Sequence, residues 1–505
     1  MAAPAEAHRL SSADAAWLHM DRPTNLMVIN AVMLFDERLE LERLREVLRQ
    51  RLVERYPRFH ERIVERRLPL LGPSFEEDPD FRLHHHLWHL ALPRPGDEAM
   101  LRKLIGELIV APLDRSKPLW EAHLIDRPAG GCALLLRMHH CIADGIALAR
   151  VMLSLTDAAS AEDGFLPAVQ PDRPASSNAA RGTIARAAAA LGAPVYGAAA
   201  LAGSAVATTR EAGSVLAREG AELLAHPGHA RELIDRTASD ARALAKLLLS
   251  PPDADTALRG PLGVAKQVAW TEQLDLARVK AIAHAQGATV NDVLLASVSG
   301  ALRRHLSDSG EQPAAIRTLV PYNLRALDQP IPRELGNRFG LVFLTLPVDV
   351  AGRRERLHEL KRRMDAIKHS PEGPISYAIL EGVGYTPPLM ERRIVDIFTA
   401  KASAVMTNVP GPREPVYLAG TPVRAVLVWA PTSGSVGMSV SIFSYREEVT
   451  IGLLVDAGLV TDPQSIMRHT EQELAALGRL KPAAGARPKR AQPPARAKAA
   501  RRKTD

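Results

Sequence analysis

Two histidines and a carboxylate stand close together in the stretch His139-His140-Cys-Ile-Ala-Asp144-Gly145. An imidazole with a pKa near 6.5 can remove a proton from an alcohol or a thiol at neutral pH, which other unperturbed side chains do poorly. Such a base needs one tautomer and one orientation, and a nearby carboxylate can fix both, directly or by bracing the loop. The pattern therefore predicts an active site for proton transfer, with His139, His140 and Asp144 as its catalytic residues.

The flanking residues predict how this set is held in place. The apolar run from Cys132 to Met138 is bounded by glycines and is typical of a buried strand. Apolar residues three to four positions apart follow from Ile146 to Leu155 and indicate a helix. Gly145 suits a close backbone approach where that helix begins. The histidines are therefore expected where a strand ends and a helix starts, a place that can hold side chains out into a cleft.

Other interpretations of the same residues remain open. The two histidines could be a structural pair or part of a metal site, although adjacent histidines on a strand point to opposite faces and rarely bind one ion together. We favour catalysis and expect no metal. Cys141, inside the stretch, could be a nucleophile, but a small apolar filler is the simpler interpretation because a base already stands beside it.

The stretch from His139 to Gly145 resembles the HHxxxDG signature of the CoA-dependent acyltransferase superfamily. This superfamily includes chloramphenicol acetyltransferase, the condensation domains of peptide synthetases and the bacterial wax ester synthase/diacylglycerol acyltransferases. Other stretches of the chain are similar to motifs of the last family, and together they extend the resemblance over nearly residues 10 to 478. They are Leu10-Ser-Ser-Ala-Asp14, Asn25-Leu-Met, Pro57-Arg-Phe59, Pro118-Leu119-Trp120, Asn291-Asp292, Leu335-Gly336-Asn337-Arg338 and Asn408-Val-Pro-Gly-Pro412.

The resemblance implies an α/β fold with mixed sheets, built from two chloramphenicol-acetyltransferase-like domains with an active-site tunnel between them. Carried over to this chain, residues 1–156 form the N-terminal domain with the HHxxxDG motif and residues 261–480 the C-terminal domain. Residues 157–260 are rich in alanine and lack strand signals, so we expect a helical linker there. Residues 481–505 are expected to be a basic, disordered tail.

The resemblance also implies the activity, which is transfer of a long-chain fatty acyl group from acyl-CoA to diacylglycerol, to a long-chain alcohol, or to both. His140 would be the general base, and Asp144 would hold the loop through an arginine. No cofactor is implied, since acyl-CoA is a co-substrate. The remaining site residues that the resemblance implies are Gly145, Asn291 and Asp292 as supporting residues, and Pro118, Leu119 and Trp120 along a substrate channel.

Charge and composition bound the possible partners. The chain has a formal net charge of +7, but residues 481–505 contribute nine basic residues and one acidic residue, which leaves the body close to neutral. A body without basic bias argues against nucleic acid as substrate. The two cysteines imply no disulfide framework, and the N-terminus lacks a secretion signal. We therefore expect a cytoplasmic protein in peripheral contact with the inner membrane or lipid inclusions, through the basic tail or the Ala-rich residues 187–209.

Two rival functions remain at this stage. A condensation-type enzyme or another acyltransferase that uses a carrier protein could carry the same HHxxxDG motif. A non-catalytic protein of lipid droplets could use the Ala-rich stretch and the tail for attachment. The additional motifs disfavour the first rival, and the intact HHxxxDG motif disfavours the second.

Overall fold

The computed structural model describes residues 8–65, 72–128, 130–158, 243, 246–247, 249–324, 332–368, 370–383 and 388–482. Most of the predicted linker, including residues 187–209, lies outside the described residues, as does the predicted tail after residue 482. The helical character predicted for the linker and the disorder predicted for the tail therefore stay predictions. Within the described residues, no helix is both long and apolar enough to cross a bilayer.

The helices and strands of the described chain alternate in two series. The first comprises β1 (His8–Arg9), α1 (Ser12–His19), β2 (Val28–Phe35), α2 (Leu41–Leu48), β3 (Glu61–Val64), β4 (Ser74–Glu77), β5 (Leu87–Ala91), α3 (Glu98–Leu108), β6 (Trp120–Asp126), β7 (Cys132–His139) and α4 (Gly145–Ser154). The second comprises β8 (Lys266–Trp270), β9 (Leu274–Asp275), α5 (Leu276–Gln286), α6 (Val290–Asp308), β10 (Ile316–Asn323), β11 (Phe339–Leu346), α7 (Arg353–Lys368), α8 (Glu372–Val383), α9 (Pro388–Thr399), β12 (Ala404–Pro410), β13 (Tyr417–Leu418), β14 (Thr421–Pro422), β15 (Ala425–Trp429), β16 (Met438–Tyr445), β17 (Glu448–Asp456) and α10 (Pro463–Leu477).

A five-stranded sheet carries the HHxxxDG motif. Its strand order is β15-β2-β7-β6-β5, antiparallel except for the parallel pair β5 and β6. Every residue of β2 and β7 is buried, because both faces of these central strands are covered. The motif therefore follows the most enclosed strand of the sheet, which gives the loop after His139 a rigid base.

A second mixed sheet forms the core of the other half. Its main strand order is β11-β10-β12-β16-β17-β8, and β9 pairs with β17. The long helix α6 packs against α7 and α10, and its buried face belongs to the same apolar cluster as strands β12, β16 and β17. This arrangement agrees with the predicted two-domain α/β architecture.

One strand from the second half of the chain joins the sheet of the first half. The run Val423 to Trp429 reads as a strand from sequence and forms β15, but it pairs with β2 in the sheet of the first half. The predicted domain limits, 1–156 and 261–480, stay a prediction, and the described strand pairing shows that the halves are interlocked rather than strung in sequence.

Candidate active site

The HHxxxDG motif forms the connection between β7 and α4, as its residue pattern predicts. Asp144 is the N-cap of α4, and its Oδ1 accepts a hydrogen bond from the backbone N–H of Ala147 at 2.9 Å. Its Oδ2 accepts from the backbone N–H of Arg338, in the second half of the chain, at 3.2 Å. These two contacts run to backbone N–H groups rather than to the guanidinium of an arginine, and the predicted role of Asp144 in holding the loop stays a prediction.

His140 packs against a pair of aromatic rings. Trp17 stacks on the imidazole with 4.1 Å between ring centroids, and Phe339 lies 5.3 Å from it. The backbone N–H of His140 donates to the carbonyl oxygen of Met27 at 2.7 Å, and only 4 % of the residue is exposed. The two aromatic rings, which also contact each other with 5.6 Å between their centroids, and the backbone hydrogen bond restrict the orientation of the imidazole.

Asn337 provides a side-chain hydrogen-bond partner for this imidazole, whose own backbone also contributes a hydrogen bond. The Nδ1 of His140 lies 3.0 Å from the Oδ1 of Asn337. The Nδ2 of Asn337 donates to the Oδ1 of Asp14 at 2.7 Å and to the carbonyl oxygen of His140 at 2.8 Å. A side chain from the second half of the chain thereby joins two elements of the first half around the predicted base.

Arg58 completes the polar cluster. Its Nη1 lies 3.1 Å from the Oδ2 of the buried Asp14 and donates to the carbonyl oxygens of Cys141 and Ile142 at 3.0 and 2.8 Å. An arginine therefore does brace the HHxxxDG loop. It acts through two backbone carbonyls of the loop, with Asp14 as its counter-charge.

The surroundings of His140 determine its protonation state. Burial lowers the pKa of His140 to about 4, because it penalises the charged imidazolium more than the nearby Asp144 and Asn337 favour it. The ring is therefore neutral at pH 7, the state that a general base needs before it takes a proton.

His139 faces the opposite direction, as adjacent residues at a strand end should. Its Nδ1 accepts a hydrogen bond from the backbone N–H of Cys141 at 3.1 Å, and its Nε2 lies 3.3 Å from the Oδ2 of Asp21. Both ring nitrogens of His139 therefore face groups of its own half of the protein. Its predicted place among the catalytic residues stays a prediction, and these contacts favour a part in holding the loop.

Gly145 begins α4, but the close approach predicted for it is absent from the described structure. A Cβ atom added there would meet the Cδ1 of Ile29 at 3.9 Å, which is ordinary van der Waals contact. The backbone of Gly145 also lies outside the left-handed region. The physical reason given for this glycine from sequence is therefore wrong, while its supporting role stays a prediction.

An apolar pocket, with about 700 Å³ of empty space that includes volume open to solvent, adjoins the two aromatic rings that contact His140. Trp17 and Phe339, which contact the imidazole, form one end of its lining. Two of its hydroxyl groups are already used, since Ser376 donates to the carbonyl oxygen of Gly373 and Thr399 to that of Val395, both at 2.8 Å. The remaining lining is mostly aliphatic and aromatic and comes from β11, α8 and α9, including Leu341, Ile379, Leu380, Ile394 and Phe398.

The predicted channel residues Pro118, Leu119 and Trp120 lie away from this lining. Trp120 is 1 % exposed, stacks on His86 at 4.8 Å and donates from Nε1 to the carbonyl oxygen of Phe59 at 2.8 Å. The carbonyl of Leu119 accepts from the backbone N–H of His139 at 3.0 Å. In the described structure these residues therefore pack β6 against the motif strand, and their assignment to a substrate channel stays a prediction.

The predicted supporting residues Asn291 and Asp292 start helix α6. Thr289 and Asp292 form a capping box, in which each side chain accepts from the other residue's backbone N–H. The Oδ1 of Asn291 accepts from the Nδ2 of Asn408, on β12, at 3.0 Å. Two stretches noted for their family resemblance thus meet, but their described contacts do not include the HHxxxDG loop.

Sequence reasoning missed the roles of Asp14, Trp17, Arg58 and Asn337. Three of these residues lie within the stretches quoted for their resemblance, namely Leu10–Asp14, Pro57–Phe59 and Leu335–Arg338, so the signal was present without a function attached to it. Nothing in the local pattern connects these stretches, because the nearest two are more than 40 residues apart. Among the residues that the structure describes, no group of three or more metal-ligating side chains is placed to hold an ion.

Comparison with known proteins identifies the family to which the chain belongs. The model of the wax ester synthase/diacylglycerol acyltransferase catalytic domain matches residues 10–294, and that of the family's C-terminal domain matches residues 335–478. A protein of Mycobacterium tuberculosis described as a probable diacylglycerol O-acyltransferase is 29 % identical over 486 residues, which cover 93 % of this chain and 96 % of the relative.

Solved structures agree on the fold. The wax ester synthase/diacylglycerol acyltransferase of Marinobacter aquaeolei VT8 has a TM-score of 0.63 at 21 % identity, covering 93 % of this chain and 98 % of that one. The first condensation domain of the calcium-dependent antibiotic synthetase has a TM-score of 0.55 at 16 % identity, covering 94 % and 96 %. The predicted fold and the predicted acyltransferase activity are confirmed, and the chain belongs to the wax ester synthase/diacylglycerol acyltransferase family.

Proposed function

We propose that this acyltransferase moves a long-chain acyl group from acyl-CoA to the hydroxyl group of diacylglycerol, of a long-chain alcohol, or of both, with His140 as the general base. The observation that carries the proposal is the neutral His140 imidazole, packed against Trp17 and Phe339, which themselves line an apolar pocket. A proton acceptor near an apolar pocket suits a reaction in which an alcohol attacks the carbonyl carbon of a long-chain acyl thioester. The names of the relatives support the same substrates.

The chemistry needs one base and no covalent enzyme intermediate. The Nε2 of His140 takes the proton of the acceptor hydroxyl, and the oxygen attacks the carbonyl carbon of the thioester. The C–S bond then breaks, and the departing CoA sulfur receives the proton from the imidazolium. An ester and free CoA are formed, and the ring returns to its neutral state. Holding both substrates in line supplies most of the advantage over the reaction in water.

The pocket favours the acyl chain as its occupant. Its serine and threonine hydroxyls at 376 and 399 are bonded to backbone carbonyls, so the lining offers an alkyl chain dispersion contacts and asks for few hydrogen bonds. About 0.8 kcal/mol per buried CH₂ group makes a long chain bind more tightly than a short one until the pocket is filled.

The test is product analysis with the purified protein. Palmitoyl-CoA is supplied with diacylglycerol or with hexadecanol, free thiol is measured as CoA is released, and the lipid product is separated by thin-layer chromatography. Triacylglycerol or wax ester should form with the parent protein and not with His140→Ala. The proposal fails if neither ester forms while the same protein accepts an acyl group from a carrier-protein thioester, which is the outcome expected of a condensation-type enzyme.

We further propose that the protein meets its substrates by peripheral contact with a membrane or a lipid inclusion on the cytoplasmic side. Helix α9 supports this proposal. Its inner side chains, among them Val395 and Phe398, line the apolar pocket, while Met390 and Ile397 are 56 % and 55 % exposed on the outside. An arginine at 393 lies exposed between them and can meet anionic headgroups.

Vesicle binding tests this contact. Met390→Asp together with Ile397→Asp should weaken sedimentation with vesicles containing phosphatidylglycerol, because both changes put charge on the face that meets lipid. Trp88→Asp is the matched control, since Trp88 is also exposed, at 48 %, but lies on the edge strand β5. Equal loss in both proteins, or loss only after truncation at Leu480, would move the contact away from α9 and, in the second case, to the predicted basic tail.

A further inference from the structure

The amide group of Asn337 can adopt one orientation only. Its Nδ2 lies 2.7 Å from the Oδ1 of Asp14 and 2.8 Å from the carbonyl oxygen of His140. A carboxylate and a carbonyl oxygen accept hydrogen bonds and cannot donate them, so the NH₂ group must face these two atoms. The Oδ1 of Asn337 is then left facing the Nδ1 of His140 at 3.0 Å, and only a protonated Nδ1 can make that hydrogen bond.

The Asp14 carboxylate is itself held in place. Asp14 is fully buried on α1, and its Oδ2 pairs with the Nη1 of Arg58 at 3.1 Å. Its Oδ1 also accepts from the backbone N–H of Asn337 at 3.0 Å. With both oxygens engaged, the carboxylate cannot turn away and release the amide.

We infer that Asn337, held by Asp14, is the positioning residue of the active site and sets the tautomer of His140 that can act as a base. With the proton kept on Nδ1, the Nε2 lone pair is free for the acceptor hydroxyl. The opposite tautomer would present an N–H there and could not take a proton. Asn337 touches the base and not the reacting atoms, and the inference rests on the proposed function in so far as His140 is that base.

The position of Asn337 links catalysis to the assembly of the two halves. The backbone bridge between Ala143 and Gly336 joins the HHxxxDG loop directly to the segment that carries Asn337. A chain in which residues 335–338 are displaced would keep His140 and lose its orientation. The tautomer is therefore correct only when the second half of the protein is seated on the first.

Direct observation of the ring tests the tautomer independently of substrate. Nitrogen chemical shifts of ¹⁵N-labelled histidine distinguish a protonated Nδ1 from a protonated Nε2. The parent protein should show His140 protonated on Nδ1, and Asn337→Ala should show a mixture of tautomers. This readout can succeed even if the proposed lipid substrates are wrong, so the two failures can be told apart.

Kinetics provide the second readout. Asn337→Ala should lower kcat by about 10²–10⁴-fold, since a base held in the wrong tautomer is ineffective, while KM for acyl-CoA changes little. Asn337→Asp restores an acceptor for the Nδ1 proton and adds negative charge. It should recover part of the rate and move the acidic limb of the kcat profile to higher pH.

Other ionisable groups near the ring also influence the pH dependence of kcat. The Asn337→Asp carboxylate would lie beside the Asp14 carboxylate, and the exchange variant Asp14→Asn with Asn337→Asp relieves this repulsion while keeping one donor and one charge. The ionisable groups that act on the imidazole in the described structure are Asp144 and His139, while Asp14, Arg58 and Tyr377 contact Asn337 or its partner Asp14.

Asn25→Ala is the matched control. Asn25 is also a buried amide that joins the two halves, with Nδ2 donating to the carbonyl oxygens of Gly434 and Val436 at 3.1 and 3.2 Å. Its loss should lower the melting temperature and leave the tautomer and the pH profile of the parent. The inference is overturned if Asn337→Ala keeps the Nδ1 proton, or if it and Asn25→Ala lose rate equally with the same pH profile.

Discussion

The neighbouring residues His139 and His140, at the end of β7, have very different surroundings. His140 packs against aromatic rings from both halves of the protein, its Nδ1 lies beside Asn337, and the two rings also line an apolar pocket. His139 contacts only its own half in the interactions described, with Cys141 and Asp21 at its two nitrogens. The same type of side chain thus has a hydrogen-bond partner from the other half of the protein in one case and partners from its own half in the other, and the surroundings rather than the residue type make the difference.

The largest loss of activity is expected from replacing His140. His140→Ala should lower kcat for acyl transfer by about 10²–10⁴-fold, because the proton acceptor is lost. CoA release measured on palmitoyl-CoA with each acceptor checks the rate, and circular dichroism checks that the fold is retained. An unchanged initial rate in a folded variant would contradict the assignment of His140 as base.

Asp144→Asn comes next and should affect stability as well as rate. Both carboxylate oxygens accept from backbone N–H groups, those of Ala147 and Arg338, and an amide can accept at only one of them. The other N–H would face an NH₂ group, at a cost of about 1–3 kcal/mol for the unsatisfied pair. Thermal melting should show a lower midpoint. Full inactivity with an unshifted midpoint would instead assign Asp144 a direct electrostatic role.

His139→Ala should be milder than His140→Ala, with a rate loss below about tenfold. The change removes the acceptor for the Cys141 N–H and the partner of Asp21, so the loop loses support while the base remains. Measuring kcat for acyl transfer in both alanine variants under the same conditions tests this order. A greater loss in His139→Ala would exchange the roles of the two histidines.

The smallest effect expected is that of pH near neutrality. Because burial lowers the pKa of His140 to about 4, the base is already neutral at pH 6, and kcat should stay nearly constant between pH 6 and 8. An imidazole with the ordinary pKa of about 6.5 would lose roughly fourfold over the same range. The folded state resists protonation that the unfolded chain accepts, so stability should fall as pH drops from about 6.5 towards 4.

Sequence patterns predicted the elements of the fold better than the site. The motif strand β7 and the helix α4 that follows it appear within one residue of their predicted limits, because long periodic or apolar runs depend mainly on local burial. The capping box of α6 was also predictable, since it needs only Thr289 and Asp292 three residues apart. The sheet to which β15 belongs was not, because strand pairing over nearly 400 residues leaves no local trace.

Sequence reasoning could identify only those candidate site residues that lie within one continuous motif. His140 and Asp144 followed from the HHxxxDG motif, whereas Asp14, Arg58 and Asn337 meet only after the chain has folded. Trp120 was expected along a channel because Pro118-Leu119-Trp120 resembles a family motif, and in the described structure it is buried in the core, where its Nε1–H donates to the carbonyl oxygen of Phe59. The described pocket is lined instead by α8 and α9, whose sequences contain no motif.

The placement of β15 beside β2 has a consequence for how the chain reaches its native state. Until residue 429 has been synthesised, β2 has no partner on one side, and a strand with every residue buried in the final fold would expose an apolar edge. Such edges invite pairing with other chains, and contacts this distant in sequence form slowly. A fragment ending in the Ala-rich region should therefore aggregate during expression, and supplying residues 261–482 as a separate chain should restore solubility by completing the sheet in trans.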